Sequence, residues 1–440
     1  MTQLATPHSI EPAAALGDQR LEPKARRSCR SCGDRSLERV LDLGNLYVSG
    51  FADSPEPSLW PKVPLELLLC PGCGLVQLRH TTPPEWMYRR YWYKSGVSAT
   101  MRAALADITA KARQFAPLRR GDAVLDIGCN DGTLLGTYAG SGVRRVGFEP
   151  AANLASEAES NAERVVRDFF SARPVAGEEF RIVTSIAMFY DLEDPNAFCA
   201  DVASVLAEDG VWIIEMHYLT DIVQQNAFDA ICHEHLEYYS LAALDNVVER
   251  AGLRVADVET NAVNGGSLRA YVVHRNSPEV SVPSRLARVT SLRRKEANAE
   301  LDRPQTYAHL ASRIHQIGLR LNSWLASEDA CGKTISAYGA STKGNTLLQA
   351  FGLDRSLIRS AAERNPEKWG KFTVGSWIPI VSEAEARKTS EIFLVLPWHF
   401  LAEIRERESD WLARGNALVA PLPTPALIDA TGMSPVPSCA

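Results

Sequence analysis

Short apolar runs recur along most of this chain, separated by stretches whose apolar positions repeat every three or four residues. The runs at 123–127, 145–148, 181–186 and 211–215 predict strands, and the segments between them predict helices. A later pair, 253–258 and 268–274, has hairpin spacing. Strands alternating with helices predict a doubly wound, mostly parallel sheet. From 282 to about 329 the chain is charged and helical in period, and Pro304 should break it, because proline lacks the amide proton that a helix interior needs. A second alternating region follows, with strands at 333–338, 358–362 and 391–396 and a helix at 345–351. Ahead of both lies a stretch of Gly and Pro turns with short apolar runs such as 65–69. The expected fold class is α/β: a small N-terminal module, a central Rossmann-like domain and a C-terminal Rossmann-like domain. The divisions fall at 1–24 (a disordered lead-in), 25–86, 87–300, 301–420 and 421–440 (a loose tail).

Composition narrows the class. With 440 residues, 45% hydrophobic and 23% charged, the chain has enough length for two or three independent cores. A formal charge of -6 argues against a general nucleic-acid binder, which needs a basic surface. An anionic small substrate needs only a local basic pocket. No stretch reads as a signal peptide or membrane span, so a cytoplasmic monomer without nucleic-acid or membrane partners is expected.

Nine cysteines in a reducing compartment favour metal or redox chemistry over structural disulfides. Four of them form two CxxC pairs, Cys29-Arg-Ser-Cys32 and Cys70-Pro-Gly-Cys73. Each pair gives two sulfurs from one tight turn, the geometry of a structural tetrathiolate Zn2+ site. The insertion between them, residues 33–69, makes an elaborated ribbon; redox pairs are the alternative. Cys129, Cys199, Cys232, Cys331 and Cys439 have no partner spacing and read as buried apolar side chains.

In Val124-Leu-Asp-Ile-Gly-Cys-Asn-Asp-Gly132 a strand runs into a glycine turn, and Thr133-Leu-Leu135 begins a helix. Glu149 ends the next strand, where a carboxylate can accept both hydroxyls of a ribose. The loop lacks the middle glycine that a dinucleotide pyrophosphate needs, and it adds an acid. This suits a cofactor with a positive charge and no phosphate, S-adenosylmethionine, whose methionine portion Asp126 or Asp131 could hold. Asp126, Gly128, Asn130, Asp131, Gly132, Glu149 and Met188 are the candidate cofactor residues. The alternative is a tight turn in an empty sheet.

A third cluster, Phe228-Asp-Ala-Ile-Cys-His-Glu-His-Leu-Glu-Tyr-Tyr-Ser240, is not a zincin helix, since a histidine would be required where Glu237 stands. If extended, it puts His233 and His235 on one face with Glu234 pointing away. It follows the strand ending at Glu215, and His217 stands at the same mouth, where doubly wound sheets bind ligands. A second glycine loop, Tyr338 to Asn345, lacks Walker spacing but offers Ser341, Thr342 and Lys343 at a helix start, which suits a diphosphate.

Taken in order, CRSCG…CPGCGLVQL, YRRYWYKSG, VLDIGCNDGTLL, HEHLEYYS, Gly265-Gly-Ser-Leu-Arg269 and Ala337-Tyr-Gly-Ala-Ser-Thr-Lys-Gly-Asn345 resemble the nucleotide-sugar C-methyltransferases of deoxysugar biosynthesis, over about residues 29–404. The resemblance implies a zinc-binding N-terminal domain, a class I methyltransferase domain at 87–300 and a nucleotide-sugar-binding Rossmann-like domain at 301–420. It implies methyl transfer from S-adenosylmethionine to a ring carbon, C3, of a nucleoside-diphosphate 4-keto-6-deoxysugar. Carried over by motif, His235 is the general base, Glu234 shares its site, and His233 completes the run. Tyr91 is the tyrosine at the sugar. Tyr93, His217, Ser341, Lys343 and Asn345 are candidate substrate contacts. One departure is Cys232, where some relatives carry a tyrosine.

The chemistry is coherent. A ketone acidifies the proton on the adjacent carbon, a neutral imidazole can take it, and a nearby donor can hold the enolate oxygen. The alternatives are O- or N-methylation of another small molecule, and a non-catalytic zinc-containing adaptor.

Overall fold

In a computed structural model, which describes residues 22–88 and 91–437, the apolar runs assemble into two seven-stranded sheets. The first begins at Ala123–Ile127, whose five residues are all buried because helices cover both faces. Arg144–Phe148 and Arg164–Val166 extend it to one side, and Phe180–Ile186 and Leu206–His217 to the other, all parallel. The hairpin Leu253–Asn261 and Ser267–His274 completes it, with Ser267–His274 antiparallel to Leu206–His217. The second sheet repeats this order. Ile335–Tyr338 is flanked by Ala361–Glu363 and Ile380–Ser382 on one side and by Ile392–Val395 and Ala417–Ala420 on the other. The carboxyl ends of both sheets line one cavity.

Several boundaries differ from the sequence reading. The strand expected at 211–215 runs from Leu206 to His217. The one expected at 358–362 is Ala361–Glu363, because the Ile358 amide closes a turn onto the Asp354 carbonyl. The helix expected at 345 starts at Thr342, capped by Ser341, whose Oγ accepts from the Gly344 amide at 3.0 Å. Pro304 separates two helices, Pro283–Ala299 and Pro304–Ala330, by standing at the first position of the second, where its missing amide proton costs nothing.

The expectation of a loose tail from Pro421 is corrected. Ala426–Asp429 and Gly432–Pro435 form an antiparallel hairpin on the second sheet, with Ile428 and Val436 buried. Most of the lead-in expected at 1–24 lies outside the described residues. At its end, Lys24–Ala25 pairs with His80–Thr81.

The N-terminal module is an antiparallel sheet of Glu38–Tyr47, Lys62–Leu69 and Val76–Leu78, joined at one edge by Glu237–Tyr238 from the methyltransferase region. A second contact, Phe51–Ala52 with Phe372–Thr373, ties the module to the C-terminal unit. It is therefore hydrogen-bonded to both larger units.

Candidate active site and metal centre

The two CxxC turns meet. Cys29 and Cys73 sulfurs are 3.6 Å apart, Cys32 and Cys70 sulfurs 3.4 Å, and all four lie within 4.8 Å of one another. Tetrahedral zinc with bonds of ~2.3 Å separates its sulfurs by about 3.8 Å, so this set fits the ion with little movement. The cluster packs on the methyltransferase unit: Asn246 Nδ2 donates to the Cys73 carbonyl at 3.2 Å, and Asn196 Nδ2 to the Ser31 carbonyl at 2.8 Å. Of the other cysteines, Cys129, Cys199 and Cys232 are buried as expected. Cys331 is exposed, contrary to expectation, and Cys439 lies outside the described residues.

The cavity has a volume of ≈ 780 Å³ and is shared by all three units. At its methyltransferase wall Gly128 adopts φ 74, a conformation suited to glycine, and an added Cβ would stand 3.2 Å from Met188 Cγ. Glu149 accepts from the Asn130 amide at 2.9 Å and the Ala151 amide at 2.8 Å, and Asp126 accepts from Thr184 Oγ1 at 2.6 Å. Burial pushes both carboxyls up to about 7. Neither has an ion-pair partner among the described residues. Two buried acids without a counter-charge beside a glycine turn fit a cationic cofactor with ribose hydroxyls to donate.

A strap from the aromatic cluster covers this loop. Asn130 Nδ2 donates to the Tyr93 carbonyl at 3.0 Å, the Ser95 amide to Asn130 Oδ1 at 3.0 Å, and the Gly96 amide to Asp131 Oδ2 at 2.7 Å. Tyr91 and Tyr93 therefore reach the cavity. Burial, with Glu234 and Asp191 nearby, holds the Tyr91 phenol well above its ordinary range, so it remains a donor.

His217, Glu234 and His235 line the same cavity. The 232–235 segment is a turn, closed by the His235 amide on the Cys232 carbonyl at 3.1 Å, and not the extended run considered from sequence. Glu234 and His235 consequently both line the cavity, while His233 turns away. The Tyr190 ring packs against both cavity histidines, 4.3 Å from His235 and 5.4 Å from His217. His235 Nδ1 donates to the Ala230 carbonyl at 2.7 Å, since a carbonyl can only accept, and this leaves Nε2 as the free acceptor. Burial and the Lys343 charge push His235 down to about 3, so the imidazole is neutral. Burial pushes Glu234 up to about 7 against a hydrogen bond from Thr342. The Cys232 thiol lies behind these two, its sulfur within 4.8 Å of their ligand atoms.

Ser341 and Lys343 also line the cavity, from the second glycine loop. Four candidates do not. His233 Nε2 donates to the Val63 carbonyl at 2.9 Å and braces the N-terminal sheet. Asn345 is fully buried and its Nδ2 donates to the Gly50 carbonyl at 2.9 Å. Asp131 is taken up by the strap and by Thr133. Gly132 faces Ala158, where a Cβ would come within 2.9 Å of Cα. Asp191 and His399, both in the cavity wall, were missed from sequence. Each follows the carboxyl end of a strand, Phe180–Ile186 and Ile392–Val395, and the end-of-strand rule applied to every strand would have found them.

Fold and site together define a methyltransferase with a thiolate metal centre. Residues 29–88 match a family described as "Putative zinc binding domain", 98–258 a "Methyltransferase domain" and 262–423 a "C-methyltransferase C-terminal domain". C-methyltransferase NovU of Streptomyces niveus is 30% identical over 412 residues, which is 91% of this chain and 97% of NovU. The chain belongs to this C-methyltransferase family. It is an S-adenosylmethionine-dependent C-methyltransferase with an N-terminal zinc site, and the O-methylation, N-methylation and adaptor readings fall away. Among solved structures, the magnesium protoporphyrin IX methyltransferase ChlM of Synechocystis PCC 6803 is similar at 15% identity and a TM-score of 0.32, over 39% of this chain and 79% of that one. A methyltransferase of Clostridium acetobutylicum ATCC 824 is similar at 13% identity and a TM-score of 0.33, over 39% and 92%. Among the described residues no helix is long and apolar enough to cross a membrane.

Proposed function

We propose that the enzyme methylates the carbon next to the ketone of a nucleoside-diphosphate 4-keto-6-deoxysugar, at C3, with His235 as the general base. The observation that carries this reading is the fixed tautomer of His235: Nδ1 is committed to the Ala230 carbonyl, so the Nε2 lone pair is free to take a carbon-bound proton. The low basicity of a buried imidazole is offset when the proton arrives together with the negative charge of an enolate beside it. Glu234 and Tyr91 line the same cavity and can donate hydrogen bonds to the sugar. Asp126, Gly128, Glu149 and Met188 would hold S-adenosylmethionine, which supplies the methyl group when bound.

Incubation with a panel of nucleoside-diphosphate 4-keto-6-deoxysugars and the methyl donor, followed by mass spectrometry, tests the substrate class. A product heavier by one methylene supports it, and turnover only of substrates without a ketone would overturn it. His235→Asn should lower turnover by roughly 10²–10⁴-fold. In deuterated water with a non-methylating donor analogue it should also stop exchange of the acidic ring proton. Exchange at the wild-type rate would remove His235 from the role of base.

A further inference from the structure

Lys343, which sequence position suggests for the diphosphate, stands at the reacting end of the cavity. Its Nζ donates to the Asn264 carbonyl at 3.2 Å. The next residue, Gly265, lies against Trp398, whose ring an added Cβ would approach to 3.0 Å, and against His399. Trp398 Nε1 donates to Asp229 Oδ2 at 3.0 Å, and Asp229 precedes Ala230, the carbonyl that holds His235. The His235 ring is in turn 5.3 Å from that of His217. Lys343, His399, His235 and His217 therefore share one wall of the cavity, and the Lys343 charge acts on all three imidazoles.

His217 is the second, independent observation. It is 7% exposed, it lines the cavity, and neither ring nitrogen has a hydrogen-bond partner. His399 Nδ1 is also buried without a partner. A buried polar group left unsatisfied is costly, and here a ligand oxygen can satisfy it. Burial pushes His217 and His399 well below the usual histidine range, so both rings are neutral and each carries one N–H. One cation and two neutral N–H groups suit a single oxygen that becomes negative during a reaction, more than a permanent dianion. Arg364 and Lys371 also lie in the cavity wall, paired there with Glu403 and Asp53, and are the alternative cations for the diphosphate.

We propose that Lys343 and His217, with His399 beside them, form the oxyanion site that holds the substrate ketone oxygen as it becomes an enolate. This rests on the reaction proposed above. As the carbon–hydrogen bond breaks, its proton passes to His235 Nε2 and its electron pair moves through the adjacent carbon to the ketone oxygen. When the carbon that lost its proton takes up the methyl group, the pair returns to form the new carbon–carbon bond and the ketone re-forms. The sulfur keeps the electron pair of the broken sulfur–methyl bond, and the donor leaves as S-adenosylhomocysteine.

The test uses the full-length, zinc-loaded enzyme with a keto-sugar accepted by the wild type and S-adenosylhomocysteine in deuterated water. Lys343→Met and His217→Asn should each slow exchange of the ring proton and lower kcat by roughly 10²-fold, as for loss of one oxyanion donor, with KM within about threefold. Calorimetric binding of S-adenosylhomocysteine reports folding; should Lys343→Met fail that check, His217→Asn carries the same readout. Wild-type exchange rates in the variants, with or without a raised KM, overturn the oxyanion role alone; a raised KM would return Lys343 to the diphosphate. Absence of exchange in the wild type with every keto-sugar overturns the proposed reaction, and the oxyanion role with it.

Discussion

Asp126 and Glu149 sit beside the glycine loop as buried acids without a counter-charge among the described residues, each pushed up to about 7. A cationic ligand, and hydroxyls donating to Glu149, favour the ionised forms and lower both values on binding. Between the lowered and the free values the free protein holds more protons than the complex, so binding releases protons. Affinity for the methyl donor should therefore rise with pH up to about 7 and then level. Calorimetry at pH ~6.5 in buffers of different ionisation enthalpy should register that release, since a tenfold change in the proton affinity of either acid is worth ~1.4 kcal/mol of binding. Glu149→Gln should reduce the release and weaken binding by roughly 1.5–3 kcal/mol, the range for hydrogen bonds to a charged group. The acid was legible from its place at a strand end. Its protonation was not, because that depends on how deeply neighbouring elements bury it.

At the scale of elements, the C-terminal hairpin shows where local pattern reading stops. Ala426–Asp429 and Gly432–Pro435 are short, rich in Pro and Gly nearby, and have no strong alternation. They become strands because Ala417–Ala420 presents an edge with unpaired backbone groups. Truncation after Pro421 would remove Ile428 and Val436 from the core and reopen that edge. At ~1.5–3 kcal/mol for each buried side chain, the loss should be at least about 3 kcal/mol, seen as a lower denaturant midpoint and more aggregation on heating. The 232–235 turn makes the same point at the site. Alternation assumed an extended chain, whereas a turn brought Glu234 and His235 to the cavity together and sent His233 to Val63.

Across the whole molecule, the zinc module acts as a brace between the two Rossmann-like units. Val76–Leu78 pairs with Glu237–Tyr238, directly after the candidate base, and Gln349 exchanges hydrogen bonds with the Tyr47 backbone from the C-terminal unit. Cys29, Cys70 and Cys73 belong to the same apolar cluster as Leu244 and Val248 of the methyltransferase unit. Losing the metal should therefore disturb more than the ribbon. Cys70→Ser should reduce zinc from about one per chain towards none by elemental analysis. It should destabilise the protein by more than ~4 kcal/mol, the scale associated with loss of a structural metal. Zinc-free wild-type protein of unchanged thermal stability would contradict the bracing role.

The sequence by itself determined the two alternating α/β regions, the paired CxxC turns, the glycine loop with Glu149 at the next strand end, and the family resemblance. These depend on neighbours within a few residues, where strand period, glycine turns and ligand spacing are local geometry. Only the tertiary structure decided which side chains share the cavity. The mouths of two sheets, more than a hundred residues apart in the chain, face each other there, and the packing of one against the other brings Lys343 and His399 to His217 and His235. It also withdrew His233, Asn345 and Asp131 into hydrogen bonds with the backbone of other segments. Burial, and with it the charge state of each group, is a property of that assembled interior and has no counterpart in the linear order of residues.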